Sequence, residues 1–433
     1  MQTPFTTLRA RVAPLERSRA LGRIAAIEGG RLHVTGLDGL VRMGDELRCR
    51  ADGPGHGSGF GSGPGLLAEV VALGPRVVAR PCGSADGLVT GLAVERRGPP
   101  SLAPCAAWLG RVVDPFGQPL DGRSLPQGPA RPLRPAPPDA VGRGGFGTRL
   151  RTGVVALDTL LPLAEGQRVG LFADSGVGKS RLLATLAAEV EADVLVAALV
   201  GERGREVSAF AREVLAARPG VVVAATSDRP ANVRLRALPA ALAVAESFRD
   251  AGARVLLVCD SLTRHAEAFA ALAGADAPAG LAADLAACLE RAGPGVDGAP
   301  AITLVATVLV AGADMEGPVA DTARGLLDGH VVLSREIAEA GRYPAIDPLA
   351  SVSRALPEAA SAAENEVIAR ARAVLERHAR HALLIASGLH EAGRDPAVDE
   401  AVRLAPAIEA ALAEAAPDVP AAFARLEAAL AGR

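Results

Sequence analysis

Short apolar runs alternate with longer stretches of helical periodicity between about Gly153 and Arg354. This alternation predicts a parallel β-sheet whose strands are joined by crossover helices. The candidate strands are Arg168 to Ala173, Val194 to Val200, Val221 to Ala225, Val255 to Cys259 and Ile302 to Val310.

The chain before this region has a different pattern. From Gly22 to about Arg97, short alternating runs are separated by glycine-rich turns, which predicts a small β-barrel or sandwich. These runs are Arg31 to Val34, Ala68 to Val71, Val77 to Ala79 and Leu88 to Val94. Asp52 to Gly65 is mostly Gly, Ser and Pro and is expected to form a surface loop.

The two ends of the chain and one internal connection have sequence patterns of their own. Residues 1–20 carry apolar positions at helical spacing among arginines, interrupted by Pro14. They are interpreted either as a basic amphipathic arm for a partner or membrane surface, or as a solvated leader. Pro126 to Pro138 is a proline-rich connection, and beyond Pro357 the chain is alanine-rich with helical periodicity.

Composition limits the class of protein. With 433 residues, 49% hydrophobic and 22% charged, a globular protein of several domains is expected. The sequence has no long uncharged apolar stretch and no signal-peptide pattern, so a cytoplasmic location is predicted. A net charge of -3 does not indicate general nucleic-acid binding, which is typical of strongly basic domains. The five cysteines are widely spaced and are expected to be reduced.

Lysine usage is more informative. Of 46 basic residues only one is lysine, Lys179. Arginine serves as a general surface cation, but it does not replace a compact ammonium that must reach a phosphate. The position of the single lysine therefore indicates where such a charge is needed.

Lys179 lies in the segment Ala173 to Ser180, which follows a predicted strand and opens a helix. This context makes the segment a candidate P-loop, a glycine-bearing turn whose backbone N–H groups cradle phosphates. Lys179 would neutralise the β- and γ-phosphates, and the Ser180 hydroxyl would bind Mg²⁺. The predicted nucleotide-binding residues here are Ser175, Gly176, Val177, Gly178, Lys179, Ser180 and Arg181.

Two carboxylates follow predicted strands. Asp260 ends the run Val255 to Cys259, where a Walker B aspartate would serve the magnesium ion. Glu202 follows Val194 to Val200, so at the carboxyl end of a parallel strand it could orient and deprotonate a water molecule. Asp260 alone is a weak signal, because apolar strands commonly end in Asp, and for the Glu202 segment alone an ordinary charged turn would be the favoured interpretation.

With these segments in hand, the chain resembles the flagellar type III protein-export ATPases, relatives of the catalytic β subunit of rotary ATP synthase. The resemblance covers nearly the whole chain. It is carried by Thr152-Gly153-Val154, Gly166 to Phe172, the P-loop, Gly201 to Val207, Asp260 to Arg264, Thr307 to Val310, Ala320 to Arg324, Leu327 to Arg335, Tyr343 to Asp347 and Ser351 to Arg354.

The resemblance implies a fold and its divisions. It predicts an arm over residues 1–20, a β-barrel over 21–97, a RecA-like P-loop ATPase domain over 98–357 with a linker over 98–150, and a helical domain over 358–433. It further implies a homohexameric Mg²⁺-dependent ATPase at the inner face of the cytoplasmic membrane. The implied partners are ATP, stalk and regulator proteins, export substrates and chaperones, without nucleic acid.

The resemblance also implies roles for matched residues. Glu202 corresponds to the catalytic glutamate, and Arg203 and Arg264 to arginines near the γ-phosphate. Tyr343, the only tyrosine, corresponds to the aromatic residue that stacks on adenine. Arg354 corresponds to the arginine finger given to the neighbouring subunit, which requires a ring.

This chain departs from the family pattern at three places. Asp174 replaces the usual second P-loop glycine and brings a carboxylate near the phosphates. Ala266 to Ala287 is alanine-rich where the family has a segment facing the stalk, so the stalk contact is in doubt. Ala311 and Ala313 replace acidic residues of a turn.

Three other functions compete with flagellar export. An injectisome secretion ATPase shares all of these motifs. A non-catalytic ring subunit would carry glutamine in place of Glu202. An RNA-translocating ring would display aromatic and basic residues on its barrel, but between Gly22 and Arg97 the only aromatic residue is Phe60.

Overall fold

The computed structural model describes residues 21–50, 65–274, 277–310 and 317–432. The predicted arm over residues 1–20 and most of the predicted loop from Asp52 to Gly65 lie outside these ranges. So do Ala311 and Ala313. The chain forms two compact units, which divide between Ser101 and Leu102.

The first unit is a closed six-stranded antiparallel barrel, with the strand order β1-β2-β5-β4-β3-β6. Alternate side chains such as Ile24, Leu32 and Val94 fill its interior because successive residues of a strand face opposite sides. The strands are β1 Leu21–Glu28, β2 Arg31–Thr35, β3 Glu46–Cys49, β4 Leu66–Ala72, β5 Val77–Pro81 and β6 Ala93–Gly98.

The barrel therefore replaces the sandwich as the architecture of this unit. One predicted strand, Leu88 to Val94, is displaced: the strand begins at Ala93 and runs to Gly98. Gly87 and Gly91 adopt positive φ angles of 80° and 84°, which turn the chain before the strand can begin.

The second unit contains a sheet of eight strands in the order β18-β17-β12-β16-β15-β13-β14-β8. All neighbours are parallel except β17 and β18. The strands are β8 Arg111–Val113, β12 Arg168–Ala173, β13 Val194–Glu202, β14 Gly220–Thr226, β15 Val255–Asp260, β16 Ile302–Leu309, β17 Gly329–Leu333 and β18 Ile346–Ser353. The sheet contains all five predicted strands, whereas β8, β17 and β18 escaped prediction because they are short or paired at the sheet margin.

Four short strands and a 3-10 helix accompany the beginning of this unit. They are β7 Ser101–Leu102, the 3-10 helix Ala106–Trp108, β9 Arg131–Pro132, β10 Arg149–Leu150 and β11 Leu163–Ala164. β10 pairs with β11.

Helices cover the sheet and extend beyond it. They are α1 Val155–Asp158, α2 Lys179–Glu189, α3 Gly204–Ala217, α4 Ala231–Asp250, α5 Leu262–Ala273, α6 Ala277–Leu289, α7 Pro318–Leu326, α8 Arg335–Glu339, α9 Ala362–Arg380, α10 Ala382–Ala386, α11 Pro396–Leu412 and α12 Val419–Leu430. Leu375, Ile408 and Phe423 of the C-terminal helices share one hydrophobic core with Leu171 and Leu183 of the nucleotide-binding part. In the described ranges, no helix has the length and apolar character needed to cross a bilayer.

The fold class is thus the predicted one: an amino-terminal barrel, a mainly parallel sheet with crossover helices, and helices at the carboxyl terminus. The parallel strands give the sheet two chemically different edges. The carboxyl edge is where β12, β13, β15 and β16 end, and the amino edge is where they begin. In open parallel sheets, ligands bind at the carboxyl edge.

Candidate active site

The P-loop connects the end of β12 at Ala173 to the start of α2 at Lys179. Gly176 and Gly178 take φ angles of 84° and 93°, which L side chains rarely adopt. A Cβ at Gly178 would lie 3.3 Å from the Tyr343 ring. Glycine is therefore required both for the turn and for the close approach of Tyr343. The loop presents the N–H groups of a helix start, which favour anions.

Lys179 is paired with Asp260 across the carboxyl edge. Its Nζ lies 2.5 Å from Asp260 Oδ1, and both side chains are largely buried. The Thr307 hydroxyl, from the next strand β16, donates to the same Asp260 oxygen at 2.6 Å. One ammonium, one carboxylate and one hydroxyl thus meet at the carboxyl ends of three neighbouring strands, β15, β16 and β12 with the P-loop that follows it.

Glu202 stands at the end of β13, beside β15. Burial, followed by the negative charge of Asp260, raises the pKa of Glu202 to about 7, while Lys179 opposes the shift. A hydrogen bond with the Glu206 side chain raises it further. A carboxylate with a pKa near neutrality is suited to accept a proton from water.

Lys179 and Glu202 line a cavity of about 520 Å³. Its cations are Lys179 and four arginines, and its carboxylates include Glu202 and Asp174. The lining residues are Asp174, Ser175, Gly176, Gly178, Lys179, Ser180, Arg181, Gly201, Glu202, Arg203, Glu206, Ser227, Arg234, Arg264 and Leu309. An excess of positive charge in an open cavity fits a polyphosphate.

The cavity arginines are held only loosely. Arg203 contacts Glu206 at 3.6 Å, and Arg181 contacts Glu213 at 3.8 Å, with most of each side chain exposed. Arg264 donates to Glu267 at 3.0 Å but has a buried Nε without a partner. Surface pairs of this kind break at little cost, so these arginines can turn toward a phosphate.

Asp174 is turned to the rim of the loop. Its Oδ1 accepts the Ser175 N–H at 2.6 Å, and its Oδ2 accepts Arg335 Nη2 at 2.6 Å. The departure from glycine therefore caps the loop and is compensated by a cation.

Two predicted nucleotide-binding residues take other positions. The Val177 side chain is buried in the hydrophobic core, so only its backbone can face a phosphate. Tyr343 is about half exposed and is held against Gly178, outside the lining of the cavity. Its free ring face is suited to stacking.

Arg354 is remote from all of these groups. Its N–H donates to Asp328 O, and the Asp328 N–H donates to Arg168 O at the beginning of β12. β12 runs from Arg168 to Ala173, which separates its ends by about 17 Å at roughly 3.3 Å per residue. Arg354 is exposed at the amino edge, opposite the P-loop of its own chain.

The fold and cavity define a P-loop ATPase of the rotary ATP synthase type. Residues 153–353 match the family described as "ATP synthase alpha/beta family, nucleotide-binding domain". Residues 360–430 match the "T3SS EscN ATPase C-terminal domain". The chain belongs to the family of flagellum-specific ATP synthases and type III secretion ATPases.

Relatives and a solved structure support this assignment. The chain is 42% identical to the flagellum-specific ATP synthase of Caulobacter vibrioides, over 94% of this chain and 95% of that protein. It is 44% identical to the SPI-2 type 3 secretion system ATPase of Salmonella typhimurium, over 79% and 82%. The assembled ATPase EscN of enteropathogenic E. coli has a TM-score of 0.83 at 32% identity, covering 95% of this chain and 99% of that one.

Sequence reasoning gave no role to Thr307, Arg234 or Ser227. The signal for Thr307 is a hydroxyl in a mostly apolar run, two residues before β16 ends, whereas Thr303 stands at the beginning of that strand. Arg234 and Ser227 carried no such signal, since they reach the cavity only through the placement of α4 and of the turn after β14.

Proposed function

We propose that this chain is the ATP-hydrolysing motor of flagellar type III protein export. It works as a homohexameric ring at the membrane base and releases or unfolds export substrates. The proposal rests above all on the grouping of Lys179, Asp260, Thr307 and Glu202 at the carboxyl edge. Relatives named flagellum-specific ATP synthases match the chain over nearly its full length.

In this proposal the phosphates enter the P-loop and Lys179 exchanges its contact with Asp260 for phosphate oxygens. Glu202 orients a water molecule and takes its proton. Arg203 and Arg264 turn to the γ-phosphate, and Tyr343 stacks on the base. The rest of the phosphate cradle is formed by the backbone of Gly176, Val177 and Gly178 and by Ser175, Ser180 and Arg181.

Mg²⁺ fits the residues that are present. Ser180 supplies a hydroxyl in the first turn of α2, and Asp260 supplies a carboxylate. Hard oxygen donors of this kind suit Mg²⁺, which commonly keeps several water ligands and binds phosphate oxygens. When bound, it would neutralise charge on the transferring phosphoryl group.

Glu202 also separates the enzyme from a non-catalytic ring subunit. A glutamine there could not accept a proton, whereas Glu202 has a pKa near 7. The injectisome alternative is kept, since secretion ATPases match the chain as well.

Partners follow from the same relatives. EscN has been solved in complex with its central stalk EscO. We extend this to a stalk protein, and to regulators, chaperones and export substrates, for the present chain. A peripheral position at the inner face of the cytoplasmic membrane completes the proposal.

The ring is tested through Arg354. Because this arginine lies opposite the P-loop of its own chain, it serves the site of a neighbouring subunit. Arginine fingers supply about 10³ to 10⁵ in rate, so Arg354→Ala should bind ATP almost normally and hydrolyse it very slowly. Arg394→Ala, another exposed arginine, is the control and should keep full activity.

The decisive measurement mixes Arg354→Ala with Lys179→Ala chains. About one interface in four of a random ring would combine an intact P-loop with an intact Arg354, so activity should partly return. If two mutants that demonstrably co-assemble restore nothing above their separate rates, Arg354 does not act on a neighbour.

A further inference from the structure

Gln167 lies at the amino edge, one residue before β12, and is fully buried. Both the oxygen and the nitrogen of its side-chain amide form hydrogen bonds. Oε1 accepts the Ala164 N–H at 3.0 Å, and Nε2 donates to Asp328 O at 3.0 Å and to Ser353 Oγ at 3.1 Å. A buried amide with complete partners has one orientation available, because leaving any partner unpaired is costly.

Both acceptors of the Gln167 amide belong to the immediate surroundings of Arg354. Ser353 precedes it in the chain, and Asp328 O also accepts the Arg354 N–H at 3.0 Å. Ser353 Oγ in turn donates to Pro162 O at 2.6 Å and accepts the Ala355 N–H at 3.3 Å. The N–H groups of Arg354 and Ala355 therefore bond to the same two oxygen atoms, Asp328 O and Ser353 Oγ, that Gln167 binds.

The partners of Gln167 are themselves immobilised. Arg168 binds Asp328 with two side-chain contacts of 2.8 and 3.0 Å, a bidentate pair. Gly329 leaves little space, since a Cβ there would lie 2.8 Å from Val352 O and 3.3 Å from Gln167 Nε2. The buried Gln167 amide therefore has little room to rotate away from these partners.

We propose that Gln167 is a positioning residue that sets where Arg354 is presented to the neighbouring subunit. The inference rests on the proposed role of Arg354 in trans. In this arrangement Gln167 does not act on the nucleotide directly. It acts through the Ser353 hydroxyl and the Asp328 carbonyl group. A displacement of about 1 Å in a catalytic group can lower a rate by roughly 10²-fold, so loss of this amide should be visible in turnover.

The test is Gln167→Met, which keeps the volume and removes both the Nε2 donor and the Oε1 acceptor. We expect kcat to fall about 10-fold to 100-fold, with nucleotide affinity within about twofold of the wild-type value. Gln127→Met, at an exposed glutamine, is the matched control and should change neither quantity. Unchanged kcat in Gln167→Met would overturn the inference.

Mixed rings distinguish positioning of Arg354 from damage to the P-loop at the other end of β12. Gln167→Met should regain activity when mixed with Lys179→Ala, which supplies intact Arg354, and should gain nothing from Arg354→Ala. The reverse pattern would mean that Gln167 supports its own P-loop, and recovery with neither partner would mean general damage. Either result overturns the inference.

The reference mixture of Arg354→Ala with Lys179→Ala is run in parallel. If it fails to recover, the proposed function in trans is wrong, whereas recovery there and failure with Gln167→Met overturns this inference alone. Should Gln167→Met not assemble, Ser353→Ala carries the test, since it removes the same contact from the other side. It is expected to show the same pattern of recovery with a smaller loss of kcat.

Discussion

The two edges of the eight-stranded sheet differ in how their polar groups are satisfied. At the carboxyl edge, Arg181, Arg203 and Arg264 line an open cavity in loose contacts with carboxylates. At the amino edge, Gln167 and Asp328 lie in a dense set of short hydrogen bonds. The arginines of the carboxyl edge are free to rearrange around a ligand, although Lys179 there is paired with Asp260, while the amino edge is already organised without a ligand.

The proposed site shared between two subunits would require this difference. The half that receives nucleotide must exchange contacts on binding, so loosely held arginines favour it, and the Lys179–Asp260 pair must give way to phosphate. The half that presents Arg354 gains from rigidity, because ordering a side chain at the moment of reaction costs entropy. Four substitutions and one pH profile at the carboxyl edge test this comparison.

The largest effect is expected for Lys179→Ala. The chain has no second lysine, and the substitution leaves Asp260 without its ammonium partner. ATP binding and turnover should be nearly abolished, with less than about a tenth of the activity remaining, because positioned charge supplies most of phosphoryl-transfer catalysis. Steady-state hydrolysis and nucleotide titration measure the two effects. Lys179→Arg is the control, because it keeps the positive charge but replaces the compact ammonium with a guanidinium. It should also lose ATP binding and turnover.

Glu202→Gln should lose hydrolysis and keep nucleotide binding. General-base catalysis contributes about 10² to 10⁴ in rate, so kcat should fall within that range. Normal turnover of the variant would show that Glu202 is not the general base.

The pH dependence of kcat/KM also tests Glu202 as the general base. Because the pKa of Glu202 is raised to about 7, the residue is protonated below that pH and cannot accept a proton. In wild-type protein, kcat/KM should therefore rise with pH through about 7 and level off above it. The limb should vanish in Glu202→Gln. A wild-type profile that is flat between pH 5.5 and 8, an interval of roughly 1 unit or more on each side, would contradict the assignment.

The smallest effect concerns Asp174 at the rim of the P-loop. Asp174→Asn keeps a side-chain acceptor for the Ser175 N–H and removes a negative charge near the phosphates. ATP affinity should rise about twofold to fivefold at low salt, and less at high salt, as expected for a partly exposed charge.

Arg335→Gln is the matched opposite change, because it leaves the Asp174 carboxylate without its cation. It should weaken ATP binding, which titration with a fluorescent nucleotide can measure. Weaker binding in Asp174→Asn as well would show that the ion pair holds the loop in shape.

Much of the architecture followed from local patterns. Apolar runs of five to nine residues predicted all five central strands, because a strand buried on both faces leaves a continuous apolar stretch. The weaker alternation of the barrel was read as strands, although turn glycines displaced β6.

The sequence by itself also determined the chemistry of the carboxyl edge. A single lysine in a glycine-bearing loop, and carboxylates directly after strands, identify a phosphate site because parallel strands end at the same edge. What only the tertiary structure decided is which distant residues meet. Thr307 with Asp260, Arg335 with Asp174, and Gln167 with Ser353 lie 47, 161 and 186 residues apart. Such pairs depend on strand order and register, which no local pattern along the chain encodes.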